Sequence, residues 1–201
     1  IRRMGLGIMK PDDFCKGKLS YDFVNRWLTS EVIDDSIWTL YPGIESIVEK
    51  YHTFYNEVVG LFDFKALYQE NQSYFQPGHF VDLDQTQASI TKEYTSLQLI
   101  TERLSTVLDT KQGCKLLFTD KHGYHIVCTK HRSKVLQSRF MNNLPNHILN
   151  IRDSQKTLVY ELPVSTITFS NKDSNNVFIE CPLINELLTN LQSSSKKLQE
   201  L

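Results

Sequence analysis

The sequence predicts a fold that is mainly α with a small β insertion, in which two long antiparallel helices carry a β-rich module at their far end. Three observations predict it. First, LDQTQASITKEYTSLQLITERLSTVLD (83–109) places Leu83, Ile90, Leu97 and Leu104 seven residues apart, with no Gly or Pro between them. That heptad spacing is the pattern of a helix packed lengthwise on another helix. At 1.5 Å per residue it would be roughly 40 Å long. Second, residues 114–181 are basic and rich in strand-forming stretches. Third, Pro182 to Leu201 resumes an apolar seam through Ile184, Leu187, Leu191 and Leu198. The expected division is therefore a helical core part at 1–82, an outgoing helix at 83–112, a β-rich module at 113–181 and a returning helix at 182–201.

Upstream of the long helix, Gly5, Gly7 and Pro11 argue against one continuous helix at the start. A short amphipathic helix is expected from Leu19, with Phe23 and Trp27 on its apolar face. A longer helix runs from Pro42 to about Leu61, since Ile44, Ile47, Val48, Tyr51, Tyr55 and Val58 recur at helical spacing. Trp27, Trp38, Tyr51, Phe54 and Tyr55 read as core, because no basic residues surround them as base stacking would require. The Pro77–Gly78 pair marks a turn into the long helix. Beyond it, CKLLFT (114–119) and YHIVCT (124–129) read as a hairpin closed by DKHG, with Gly123 free to take positive φ. Lys130 to Phe140 is a candidate helix. Residues 157–162, 165–170 and 176–180 are further strand candidates.

Charge is unevenly placed. The 201 residues carry a net charge of −1. Between Cys114 and Asn175, nine basic residues face four acidic ones, giving +5 and leaving −6 for the rest. A localised basic module suggests contact with a polyanion, against a solvated surface as the plainer alternative. The cysteines, Cys15, Cys114, Cys128 and Cys181, form no CxxC pair, and reduced thiols in an intracellular, reducing compartment are expected. No run reaches the roughly 18 apolar residues of a membrane span. No secretory signal is evident. A start without Met and an end inside a helical pattern are expected of a piece of a longer protein.

Enzyme motifs are missing. Gly17–Lys18 is followed by Leu19, and Asp12 stands where a P-loop needs its first Gly. Neither Gly-x-Ser-x-Gly nor His-Glu-x-x-His occurs. Cys114, His122, His125, Cys128 and His131 have spacings reminiscent of zinc ligands. His125 and Cys128, three apart on a strand, would point to opposite faces, so no metal and no catalytic residue is assigned. The basic cluster Lys130, His131, Arg132 and Lys134 is the best candidate for phosphate contact, with Lys121 and Lys172 beside it.

Three stretches in order carry a family resemblance. FDFKALYQENQSYFQPGHFVDLDQTQ (62–87) resembles the segment that leads into the lever helix of MutS-type DNA mismatch-repair ATPases. LLFTDKHGYHIVCTK (116–130) is similar to the hairpin that opens that family's clamp. FIECPLINELLTNL (178–191) is similar to its return into the lever. SNKDSNNV (170–177) departs from the family's pattern. The resemblance implies long antiparallel lever helices carrying a β-rich clamp. It implies a clamp that grips the backbone of double-stranded DNA without reading sequence, through Lys121, Lys130, His131, Arg132, Lys134 and Lys172. It also implies a dimeric parent protein whose ATP- and Mg-dependent activity lies outside these residues, with no cofactor held here. The alternative is a helical-arm adaptor whose β tip docks a protein partner; an enzyme with a zinc site at the tip is a third reading.

Overall fold

The computed structural model describes residues 11–29, 43–66, 72–143 and 148–200. The chain divides into two compact units, Ile1–Asp84 and Gln85–Leu201.

In the first unit, helix α1 spans Pro11–Leu28 and helix α2 spans Ile44–Leu61. The helix expected from Leu19 begins eight residues earlier. Pro11 at the first helical position has no N–H to lose, and its fixed φ suits helix entry. Tyrosine hydroxyls join the two helices. Tyr51 donates to the Tyr21 carbonyl at 2.5 Å, and Tyr55 donates to Asp22 Oδ1 at 2.7 Å. Lys18 holds the other Asp22 oxygen at 2.6 Å. Those contacts, Lys18 first, lower the Asp22 pKa from its ordinary value. The reading of the aromatics as core does not hold for the described ones: Trp27 is 51% exposed and Phe54 40% exposed, and Tyr51 and Tyr55 are only half-buried. Trp38 lies outside the described residues. Further on, Phe62 bridges to Phe75, whose ring meets Phe80 edge-on at 4.8 Å. Gly78, at φ 95°, makes the expected turn, and its N–H donates to Asp84 Oδ2 at 2.8 Å.

Helix α3 spans Val81–Val107. The second unit continues with β1 (Lys115–Thr119), β2 (Gly123–Thr129), helix α4 (Lys130–Asn143), β3 (Ile148–Arg152), β4 (Leu158–Pro163), a 3-10 turn (Val164–Thr166), β5 (Thr168–Asn171), β6 (Asn176–Glu180) and helix α5 (Pro182–Glu200). Four strands form an antiparallel sheet in the order β1-β2-β6-β5, and β3 pairs with β4 in a separate antiparallel ribbon. Strand β3 was not anticipated. Its signal is the alternation that buries Leu149 and Ile151 while exposing Arg152.

The lever-and-clamp architecture is overturned. The fold is mixed α/β, with about 58% helix and 21% strand and two antiparallel sheets, not two long lever helices carrying a clamp. The reason is what the α3 seam packs against. Leu97, Ile100 and Leu104 are fully buried in one cluster with Ile126 and Cys128 of β2, Leu149 and Ile151 of β3, Leu162 of β4 and Ile179 of β6. Ser96 Oγ meets Tyr160 Oη of β4 at 3.1 Å, and the Tyr94 ring meets Tyr124 of β2 edge-on. The helix thus roofs strands within a shared core. Ile184, Leu187 and Leu191 of α5 enter the same cluster, and α5 lies beside β2. An apolar stripe at i, i+3, i+4 and i+7 fits a sheet as well as a helix, so heptad spacing does not name the partner.

Candidate nucleic-acid interface

Helix α4 follows β2 without a break. Thr129 closes the strand and caps the helix: its Oγ1 accepts the Arg132 N–H at 3.3 Å. The Lys130 N–H donates to the Asn175 carbonyl at 2.9 Å, which ties the start of α4 to the β5–β6 turn. Asp173 shapes that turn by accepting the N–H groups of Asn175 and Asn176, both at 2.8 Å. The Asn176 side-chain amide and then these backbone bonds hold the Asp173 carboxyl below its ordinary pKa.

The first turn of α4 carries Lys130, His131 and Arg132, with Lys134 one turn on, and contains no acidic residue. A helix N-terminus already bears a partial positive charge, so cations there are unfavourable by about 0.3–1 kcal/mol each unless an anion meets them. His131 and Lys134 are exposed, and Lys130 is half-buried. Arg132 is partly engaged by the protein, donating from Nη1 to the Gly113 and Gln112 carbonyls at 3.3 and 3.4 Å. Arg139 points elsewhere. It donates to the Val107 carbonyl at the end of α3 and to the Asp109 carboxylate, both at 2.5 Å. Asp109 takes φ 55° as α3 terminates.

The six sequence-predicted residues therefore do not form one cluster. Lys121 is exposed in the β1–β2 turn, at the other end of β2 from Lys130. The seven residues of β2 separate the two by about 20 Å at 3.3 Å per residue. Lys172 begins in the β5–β6 turn beside α4, but its ammonium turns back along the sheet. It donates to His125 Nε2 at 2.8 Å and lies 5.7 Å from the Phe178 ring centre. Sequence reasoning left out Lys115, which the register places opposite Val127, three residues before the start of α4. It is exposed. Its signal was the hairpin register itself, which brings the first residue of β1 beside the last residues of β2.

The Lys121 end has its own polar cluster. His125 is buried, and its Nδ1–H donates to the Gly123 carbonyl at 2.8 Å, leaving Nε2 to accept from Lys172. Burial, helped by the nearby Lys172 and His122, pulls the His125 pKa below the ordinary imidazole value despite the Gly123 bond. His122, Tyr124, Phe178, Glu180 and Asn185 complete the wall of a cavity of about 210 Å³. The zinc-like set is thus divided. Cys114 and Cys128 sit inside the core, His125 serves Lys172, and His131 is on the surface. Among the described residues, no group of three His, Cys, Asp or Glu side chains is placed to hold a metal ion. Nor is any described helix long and apolar enough to cross a membrane.

No protein-family model matches the sequence, and no curated protein matches it.

Proposed function

We propose that the unit Gln85–Leu201 binds the sugar–phosphate backbone of double-stranded DNA without reading sequence. We propose further that it serves a MutS-like mismatch-repair protein, dimeric and intracellular, whose ATP- and Mg-dependent steps take place outside these residues. The grip is assigned to the N-terminal turn of α4 with the adjoining β1 edge, so it needs no lever. The observation that carries the reading is that Lys130, His131, Arg132 and Lys134 gather at a helix N-terminus with no acidic residue in its first turn. The side-chain cations there converge on one kind of ligand, a phosphate oxygen. The core contributes rigidity and no catalysis.

The test is duplex affinity of the full-length protein across a salt series, wild type against the Lys115→Ala/Lys130→Ala/Lys134→Ala variant. Arg132 is spared because it also holds two backbone carbonyls. Each lost phosphate contact lowers the log–log salt slope by about one, equally on matched and mismatched duplex. Identical slopes would remove these residues from the DNA contact.

One observation favours the adaptor reading instead. A groove of about 420 Å³ runs beside α4, lined by Phe140, Met141, Val164, Ile167 and Phe169. An apolar side chain seated there would bind with little dependence on salt, which separates the two readings in the same series.

A further inference from the structure

Two of the four cysteines face each other. The hairpin register pairs Lys115 with Val127, so Cys114 and Cys128, each one step outside that pair, are neighbours across the mouth of the hairpin. Directly opposed residues of an antiparallel pair have Cβ atoms about 4.5–5.5 Å apart, close to the span a disulfide bridges. The two thiols lie in the same buried cluster and are unbridged, and each residue is 3% exposed. Ser105 fixes the backbone of one partner, its Oγ accepting the Cys114 N–H at 2.9 Å. Arg132, anchored on the Gln112 and Gly113 carbonyls, lies close enough to bring its positive charge to bear on both thiols. Cys181 is occupied differently: its Sγ accepts the Ile184 N–H at the start of α5.

From this geometry we propose that Cys114 and Cys128 form a redox site, a dithiol that closes to a disulfide when it meets a small-molecule disulfide of the glutathione class. The neighbouring Cys114 thiol, and then Arg132, lower the Cys128 pKa from its ordinary value against the pull of burial, while Cys128 and burial raise that of Cys114, so Cys128 is the more readily ionised of the two. Cys128 is therefore the attacking sulfur. Its thiolate displaces one thiolate from the small disulfide, giving a mixed disulfide; the expelled thiolate takes up a proton. Cys114 then gives up its proton and attacks the Cys128 sulfur, releasing the second small thiol. In sum, two protein thiols are oxidised and one small disulfide is reduced to two thiols. Access comes from the edge of the sheet. Among the described residues β1 has no strand on its outer side, so local opening of β1 exposes the pair without unfolding the core. The closed disulfide staples β1 and the Gln112–Gly113 turn, on which Arg132 rests, to β2.

The full chain is equilibrated in glutathione buffers of graded oxidised fraction, quenched with acid, alkylated, digested with trypsin and mapped by mass spectrometry. Lys115 and Lys121 lie between the cysteines, so the two peptides separate unless the disulfide joins them. The expected result is a Cys114–Cys128 cross-linked pair that grows with the oxidised fraction, while Cys15 and Cys181 stay free. Cys181→Ser leaves the bond forming, and Cys114→Ser leaves a stable glutathionyl group on Cys128. Separate alkylation of Cys114 and Cys128 across the whole series, or pairing of either with Cys15 or Cys181, would overturn the proposal. The primary readout uses the wild-type chain and does not depend on a variant folding or on DNA being bound.

Discussion

At one end of the four-stranded sheet, the β1–β2 turn brings Gly123, His122 and His125 beneath helix α5. At the other, the same strand β2 delivers Lys130, His131, Arg132 and Lys134 at the start of α4, beside Lys115. The first end is closed by packing: a Cβ added at Gly123 would collide with Gln192 Nε2 of α5. The second presents cations that the fold leaves partly unneutralised. LLFTDKHGYHIVCTK reads as one basic motif in the sequence, yet β2 carries its two halves apart. Contiguity in sequence therefore marks opposite ends of a structure whenever a strand lies between.

The largest effect expected on this contrast is at Gly123. Its φ of 64° is left-handed, which costs an L-residue about 1–2 kcal/mol before any steric term, and a β-branched side chain more. Gly123→Val should lower stability by about 2 kcal/mol or more in urea denaturation. Pairing it with Gln192→Ala should recover the steric part and leave the backbone part. If the single variant is as stable as wild type, the closed end is not closed by this contact.

A smaller effect is expected from His125. Its folded pKa lies below the ordinary value of 6.5, so the unfolded chain takes up a proton first as pH falls. Its contribution is intact above about pH 6.5 and is lost as pH drops from there through the folded pKa. Protonation also removes the acceptor of the Lys172 hydrogen bond. Urea midpoints of wild type and His125→Gln should therefore converge as pH is lowered from 7.5 to 5. Parallel curves would mean that the Lys172–His125 pair does not couple to folding.

Much of this was legible because it is local. The hairpin followed from a Gly placed between two strand-like runs, α4 from the residues after Lys130, and the apolar faces of α3 and α5 from their spacing; the stripe read on α2 buries no residue, and its Ile47 is 66% exposed. What escaped depends on contacts distant in sequence. Nothing in residues 83–109 says that Leu97 meets sheet strands rather than a second helix, since both partners accept the same stripe. The pairing of β2 with β6 spans some fifty residues, and although β3 and β4 are consecutive strands, their forming a ribbon separate from the four-stranded sheet depends on the same distant packing. Of the site residues, Lys134 was readable as an exposed cation and His131 as an exposed imidazole. That Arg132 would hold carbonyls and Lys172 would turn onto His125 was not, because both depend on side-chain partners in other elements.

The most direct test of the charged end is hydrogen exchange of the full-length protein with and without duplex DNA at low salt. The account predicts added protection at residues 130–134 and at the start of β1, and unchanged exchange at residues 120–122. Protection confined to 120–122, or none at 130–134 under conditions where the duplex is bound, would contradict it.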